Sequence, residues 1–305
     1  MKRLILGGLL TVVLALLAAT YWLFYDNRPP ADGTFPLDIA ALREEAARLP
    51  GDGPSGIEVE TLYWVTVPRI ALITGTDWSD MSFVRNSYRV VWPDSSLVID
   101  TGSDEPTAQH DPRLTRYDQA AWARVQKGLS AASTIVVTHE HCDHIGGLLQ
   151  SPNLGALLPK AILNEEQFTS IPECTVWPEG SREEYVPLKY DGIRAIAPGV
   201  VLIRAPGHTP GSQMVFVRQN DGREFLFSGD TASSLDNVRL IRPRSRYVME
   251  FGGHEDDRDA VFRQTIAIKQ MMDANPDLEL VPGHDEAALL ALEKRGLLKR
   301  GFAVQ

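Results

Sequence analysis

His139-Glu140-His141-Cys142-Asp143-His144 is the stretch that decides how this chain is read. His139, His141, Asp143 and His144 can each bind a metal ion. The run follows Ser133-Thr134-Ile135-Val136-Val137-Thr138, an apolar β-branched segment, and precedes Ile145-Gly146-Gly147, where a glycine pair permits close backbone approach. On an extended or tightly turned segment His139 and His141 point the same way, because side chains repeat with period two. Once the chain turns, Asp143 and His144 address a second nearby point. Neutral imidazoles and a carboxylate at this spacing suit two neighbouring cations. The plainer alternative is a solvated polar loop. Three of the chain's seven histidines within six positions argue against it.

The chain has 305 residues, enough for one large or two ordinary domains, with the composition of a globular protein. Its first 25 residues differ. After Met1-Lys2-Arg3, no charged residue occurs from Leu4 to Tyr25. A helix of that length spans roughly 33 Å, against about 30 Å for a bilayer core. Lys2 and Arg3 favour a cytoplasmic N-terminus, and Tyr21, Trp22, Phe24 and Tyr25 would lie at the far interface. A cleaved signal peptide is the competing reading, with Ala18-Ala19-Thr20 a weak cleavage site. Under either, the rest of the chain is exported to the periplasmic or extracellular side. Residues 1–25 are thus read as an anchor, 26–56 as a tether with a short amphipathic helix, and 57–305 as a catalytic domain.

A net charge of −10 argues against a nucleic-acid partner, since backbone binding rests on clustered Lys and Arg. The run Arg239, Arg242, Arg244 and Arg246 reads as a solvated loop, with recognition of an anionic substrate group as the alternative. Two cysteines occur, Cys142 and Cys174. They pair in an oxidising compartment if close enough, or Cys142 serves as a soft metal ligand.

Coarse patterning gives a helix over 38–49, with Ile39, Leu42, Ala46 and Leu49 on one face, and short strands at 57–67, 69–74, 88–92 and 96–100. Tyr117–Ala131 reads as a helix and 134–138 as the strand that delivers the histidine cluster. Strands follow at 160–164, 193–196, 200–205, 213–218 and 224–228, then helices over 256–272 and 285–295 around a strand at 278–282. Two runs of strands, each followed by helices, predict two β-layers between helical layers.

Further ligand-type residues stand in glycine-bearing loops just after strands: His208 in Pro206-Gly207-His208-Thr209-Pro210-Gly211, Asp230 in Ser228-Gly229-Asp230-Thr231, and His284 in Pro282-Gly283-His284-Asp285. Singly each is an ordinary turn. Together with the cluster they set five histidines and two carboxylates at successive strand ends.

In this order and spacing the chain resembles the metallo-β-lactamase superfamily from about residue 60 to about 295, with Asp100 in Leu97-Val98-Ile99-Asp100-Thr101-Gly102 matching an earlier family motif. The resemblance implies an αββα sandwich. It implies a first metal on His139, His141 and His208, a second on Asp143, His144 and His284, Asp230 bridging both, and Asp100 orienting a ligand by hydrogen bond. It also implies two divalent ions, zinc foremost with iron or manganese as alternatives, which acidify a shared water for attack on a carbonyl or phosphoryl centre. Asp143 is a candidate to pass a proton to the leaving group.

Within the superfamily, the loops around His208 and His284 look most like N-acyl-homoserine lactonases and, in ligand set, glyoxalase II. A tyrosine closely following the bridging aspartate is absent; the next is Tyr247. The leading expectation is a membrane-anchored hydrolase of ester or lactone bonds acting on a small molecule. Thioester or phosphodiester hydrolysis, an iron-dependent redox enzyme and a non-catalytic binding module are the alternatives. Trp78, Phe83 and Tyr88 are read as packing and His110 as a loop residue, while His254, in a Gly-rich segment after Asp230, reads equally as lining the site or as structural. Oligomeric state is not legible.

Overall fold

Strands covered on both faces read as near-continuous apolar runs, and those of this chain do. The computed structural model describes residues 2–170, 177, 179–183, 185–251 and 256–304. Its strands are β1 (Gly56–Pro68), β2 (Asp80–Val91), β3 (Ser96–Ile99), β4 (Leu114–Tyr117), β5 (Thr134–Val136), β6 (Ala161–Ile162), β7 (Ile193–Ala197), β8 (Val200–Arg204), β9 (Gln213–Arg218), β10 (Glu224–Gly229), β11 (Leu278–Pro282) and β12 (Lys299–Arg300). The first sheet has the order β12-β1-β2-β3-β5-β6, with β4 also on β1; the second runs β11-β10-β9-β8-β7. The long β1–β2 pair is antiparallel, whereas β3–β5 and β5–β6 are parallel, so a helix must cross between them.

The helices in chain order are α1 (Lys2–Phe24), α2 (Ile39–Ala46), α3 (Arg69–Leu72), α4 (Glu105–Ala108), α5 (Gln119–Ala131), α6 (Cys142–Leu149), α7 (Leu154–Leu157), α8 (Glu165–Thr169), α9 (Leu235–Arg239), α10 (Arg246–Phe251), α11 (Arg258–Ala274) and α12 (Glu286–Lys294). Three apolar cores define the layers. Val59, Val90, Leu97, Val200, Leu202, Val215 and Phe227 meet between the sheets. On the outer face of the first sheet, Leu62, Val98 and Ile135 pack against Val125 and Leu129 of α5 and Leu148 of α6. On the outer face of the second, Val201, Ile203, Phe216 and Leu226 pack against Leu42 of α2 and Ile268 and Met271 of α11. Val200 and Leu202 point inward and Val201 and Ile203 outward, the period-two alternation of a strand with two buried faces. The result is the expected αββα sandwich.

Local signals set the helix ends. Asp38, Asp118, Asp257 and Asp285 each accept a backbone N–H in the first turn of α2, α5, α11 and α12. Leu42 is buried on α2, a burial that contributes about 1.5–3 kcal/mol.

Two expectations need correction. The strand read at 69–74 is instead the single turn α3, started by Pro68, which stands at its N-cap. The strand read at 88–92 begins at Asp80; its middle carries buried polar residues, Arg85, Asn86 and Ser87, which mask the alternation. Residues 26–28, within the stretch read as tether, are fastened to the domain. Asp26 is 1 % exposed, its carboxylate accepting from Arg28 Nε at 2.7 Å and its carbonyl from Arg258 Nη2 at 2.7 Å. Helix α1 itself, from Ile5 to Phe24, has mean hydropathy 2.0 and buries nothing, and is long and apolar enough to cross a membrane.

Helix α6 sits so close to the β3 loop that a Cβ on Gly147 would run into the Thr101 carbonyl, while one on Gly155 of α7 would meet open space. Gly147→Ala should therefore lower stability in chemical denaturation by about 1–3 kcal/mol. Gly155→Ala should leave stability equal or raise it by up to about 1 kcal/mol. Equal losses from both would contradict this packing.

Candidate metal centre

The chemistry gathers at one edge of the sandwich, where strands of both sheets end. β3 runs out at Ile99 into Asp100, β5 leads to His139–His144, β8 to His208, β10 to Asp230 and β11 to His284. The two sheets are stitched here: Val84 N–H of β2 donates to the His284 carbonyl at 3.0 Å, and Gln213 N–H of β9 donates to the Thr138 carbonyl at 2.8 Å. Gly283 is required by closeness, since a Cβ there would stand 2.5 Å from Asp230 Oδ1.

All seven residues anticipated as ligands converge. His139 Nε2 lies 3.0 Å from His141 Nδ1, which lies 3.0 Å from His208 Nε2. A few ångströms away, His144 Nε2 is 3.3 Å from His284 Nε2, and Asp143 Oδ2 is 3.7 Å from each. Asp230 reaches toward both groups: Oδ2 is 3.5 Å from His208 Nε2, and Oδ1 is 3.6 Å from His144 Nε2 and 2.7 Å from His284 Nε2. His139, His141 and His208 form one set able to hold a metal ion, Asp143, His144 and His284 another, and Asp230 joins a third with His139 and His144. Facing lone pairs on neighbouring neutral imidazoles repel unless something electrophilic is shared among them. Asp230 Oδ1 is buried without a hydrogen bond of good geometry despite its short approach to His284. A cation in each set resolves both features, so the residues present suit a dinuclear metal site.

The outward-facing ring nitrogens are held from behind. His144 Nδ1 meets Asp100 Oδ2 at 2.9 Å, His284 Nδ1 meets the Val84 carbonyl at 2.8 Å, and His208 Nδ1 meets Asp256 Oδ1 at 3.0 Å. Asp100 adopts φ 57°, a left-handed conformation that an aspartate tolerates at some cost. It is fixed there by Thr138, whose N–H and Oγ1–H donate to its two carboxylate oxygens at 2.6 and 3.0 Å.

Burial first, and then the neighbouring imidazoles, push the His139 pKa well below its ordinary value; burial and then Arg244 do the same for His208. Both rings are thus kept neutral, as ligands must be. Burial also opposes charge on His144, but the carboxylates of Asp100 and Asp143 outweigh it and push that pKa up to about 9. For Asp143, burial would raise the pKa, yet the Arg85 guanidinium and then His144 and His284 hold it well below the usual carboxylate range.

Several residues around the centre carried no sequence signal. Arg85 of β2 is buried beside Asp143 as its ion-pair partner, stacks 4.4 Å over Phe83, and keeps Nη1 without a hydrogen bond. Arg244, expected in a solvated loop, is buried instead, its Nη2 donating to Asp256 Oδ2 at 2.6 Å. The Glu140 carboxylate accepts from Thr209 Oγ1–H at 2.8 Å and Gly211 N–H at 3.2 Å, tying the His208 loop to the cluster. A pocket of about 240 Å³ opens over the centre, lined among others by Tyr63, Phe83, Arg85, Asp143, Arg244 and Val248. Cys142 is disulfide-bonded and so offers no thiolate to a metal. Cys174 and His254 lie outside the described residues, and His110 is exposed as expected.

A His144 proton retained up to about pH 9 must leave when a cation binds. Zinc titrated into metal-free protein should therefore release at least about one proton near pH 7.5, and bind more tightly as pH rises toward about 9. Calorimetry in buffers of different ionisation enthalpy reads the release, which Asp100→Asn should diminish. Zinc uptake without proton release would contradict this electrostatic picture.

Comparison with known proteins agrees with this architecture. The family model of the metallo-beta-lactamase superfamily matches residues 82–284. An N-acyl homoserine lactonase of Bacillus thuringiensis is 23% identical over 172 residues, and one of Bacillus cereus 22% over 174. Each match covers 49% of this chain and 64% of the relative, so the chain spans under two thirds of those proteins' length. Among solved structures, an N-acyl homoserine lactone hydrolase holding the product N-hexanoyl-L-homoserine at its catalytic metal centre superposes with TM-score 0.60 at 17% identity, over 78% of this chain and 96% of that one. AidC, a dizinc quorum-quenching lactonase, superposes with TM-score 0.53 at 14% identity, over 75% and 87%. The chain belongs to the metallo-beta-lactamase superfamily.

Proposed function

We propose that the chain is a membrane-anchored, exported metallohydrolase that cleaves an ester or lactone bond of a small molecule with two metal ions, zinc foremost. The observation that carries the reading is the placement of Asp230 between two imidazole sets, with one carboxylate oxygen toward each. His139, His141 and His208 would hold one ion and Asp143, His144 and His284 the other, with Asp230 within reach of both sets. Bound there, the pair supplies an acidified water and a Lewis acid for the carbonyl oxygen.

The chain's own residues do the rest. Asp100, Asp256 and the Val84 carbonyl fix the tautomers and tilt of His144, His208 and His284. Asp143, at the pocket beside Arg85, is the group placed to pass a proton to the leaving oxygen. Phe83, in ring contact with His284 at 4.3 Å, and Tyr63 exclude water from the pocket wall.

The N-acyl homoserine lactonases similar to this chain support the choice of lactone and ester. The apolar span Ile5–Phe24 of α1, with Lys2 and Arg3 ahead of it, supports an anchor that leaves the domain outside the cytoplasm, either uncleaved or as a signal sequence. Hydrolysis of a phosphodiester is the second reading, favoured by Arg85 and Arg244 at the pocket.

Purified full-length protein assayed on matched lactone, aryl ester, thioester, phosphodiester and β-lactam substrates tests the proposal. Lactone or ester turnover should vanish with a chelator and return with zinc. Asp230→Ala should abolish it together with metal content, and Asp100→Asn should lower it by about 10–100-fold. Turnover that is indifferent to metal, or intact in Asp230→Ala, contradicts the assignment. Turnover confined to the phosphodiester selects the second reading.

A further inference from the structure

Exposed apolar side chains on this protein are concentrated rather than scattered. Outside residues 5–25, the large exposed hydrophobics among the described residues are Trp78, Val186, Leu240, Tyr247, Phe251 and Leu290. Four of these six gather where α1 meets the catalytic domain. Phe24 stacks on Tyr247 at 5.4 Å between ring centroids and lies 5.0 Å from Trp78, while Tyr247 lies 6.3 Å from Phe251. Leu240 precedes Ile241, whose carbonyl accepts from Asn27 Nδ2 at 3.1 Å. Three segments distant in sequence thus bring apolar side chains to one place, and solvent reaches 56% of Trp78, 50% of Tyr247 and 66% of Phe251.

The junction is stiff. Gly75 N–H donates to the Phe24 carbonyl at 2.7 Å, Arg258 holds the Asp26 carbonyl, and Arg246 reaches the Asp26 carboxylate at 3.3 Å while lying 5.3 Å over Trp22. These ties hold the domain against the end of α1, beside its aromatic terminus. Tyrosine and tryptophan favour that depth in a bilayer, with the ring body in an apolar layer and the polar edge among headgroups.

We propose that Trp78, Leu240, Tyr247 and Phe251 form a rim on the catalytic domain that contacts lipid directly at the membrane surface. This rests on the reading of α1 as a membrane span. The occupant is the bilayer rather than a partner protein, because the rim is continuous with the aromatic end of a helix whose apolar stretch is otherwise left uncovered by the protein. The rim also bears on the active site. Val248, three residues before Phe251 and so on the same face of α10, lines the pocket over the metal centre. The membrane surface is therefore a wall of the approach to that pocket, and an amphipathic ester is the substrate class such an approach suits.

The test uses the full chain in lipid nanodiscs, with p-benzoylphenylalanine placed singly at Leu14, Tyr247, Phe251, Val186 or Leu290 and adducts read by mass spectrometry after irradiation. Lipid adducts are expected at Leu14, Tyr247 and Phe251, with Val186 and Leu290 at least about tenfold lower. Adducts at Leu14 without any at Tyr247 and Phe251 overturn the rim and leave the span intact. Absence at Leu14 overturns the span itself and the rim with it. Equal labelling at all four domain positions also overturns the rim, because contact would then be unselective.

Discussion

Three imidazole nitrogens, on His139, His141 and His208, are brought to within 3.0 Å of their neighbours in the interior of a protein, and the remainder of the fold is arranged around that crowding. Neutral rings do not choose such an approach, and charged rings would repel more strongly still. It persists because the rings arrive from strand ends of two independently packed sheets. The β5 loop carries two of the rings, β8 brings the third, and β10 inserts Asp230 against them. The energy of holding unsatisfied donors together comes from the three apolar cores that clamp the sheets. It is recovered when cations occupy the two sets.

The groups behind the ligands explain why the arrangement is sharp rather than approximate. Asp100 keeps a left-handed backbone at φ 57°, yet Thr138 and His144 together saturate its carboxylate, so the conformation is over-determined. Asp256 performs the same service for His208 while itself paired to Arg244, and Glu140 binds the His208 loop to the cluster that it must face. Arg85, on β2 of the same sheet that leads to the cluster, then sets the charge state of Asp143.

Much of this was legible in the sequence. His139 to His144 is a local signal, because period two and a following turn fix the directions of its side chains before any tertiary contact forms. His208, Asp230 and His284 were legible because each follows an apolar run and a glycine, so strand ends could be aligned. Arg85 was not, since an arginine within Phe83-Val84-Arg85-Asn86 reads as the outward residue of an alternating strand, and only the opposing Asp143 shows that it points inward. Asp256 stood in an acidic pair ahead of a helix, where capping is the ordinary reading; Asp257 does cap α11, and its neighbour supports His208. The arginines at 239–246 misled because charge clusters are usually solvated, whereas Arg244 is paired inside. The apolar run at 69–74 reads as a strand on composition but forms a single helical turn after Pro68 ends β1.

The central claim is that this chain holds two metal ions, not one, with Asp230 between them. Anomalous-difference density from zinc-soaked crystals, recorded on both sides of the zinc absorption edge, tests it most directly. The account predicts two peaks about 3.5–4 Å apart, one against His139, His141 and His208 and the other against Asp143, His144 and His284, each within bonding distance of an Asp230 oxygen. A single peak, or two peaks neither of which touches Asp230, would contradict it.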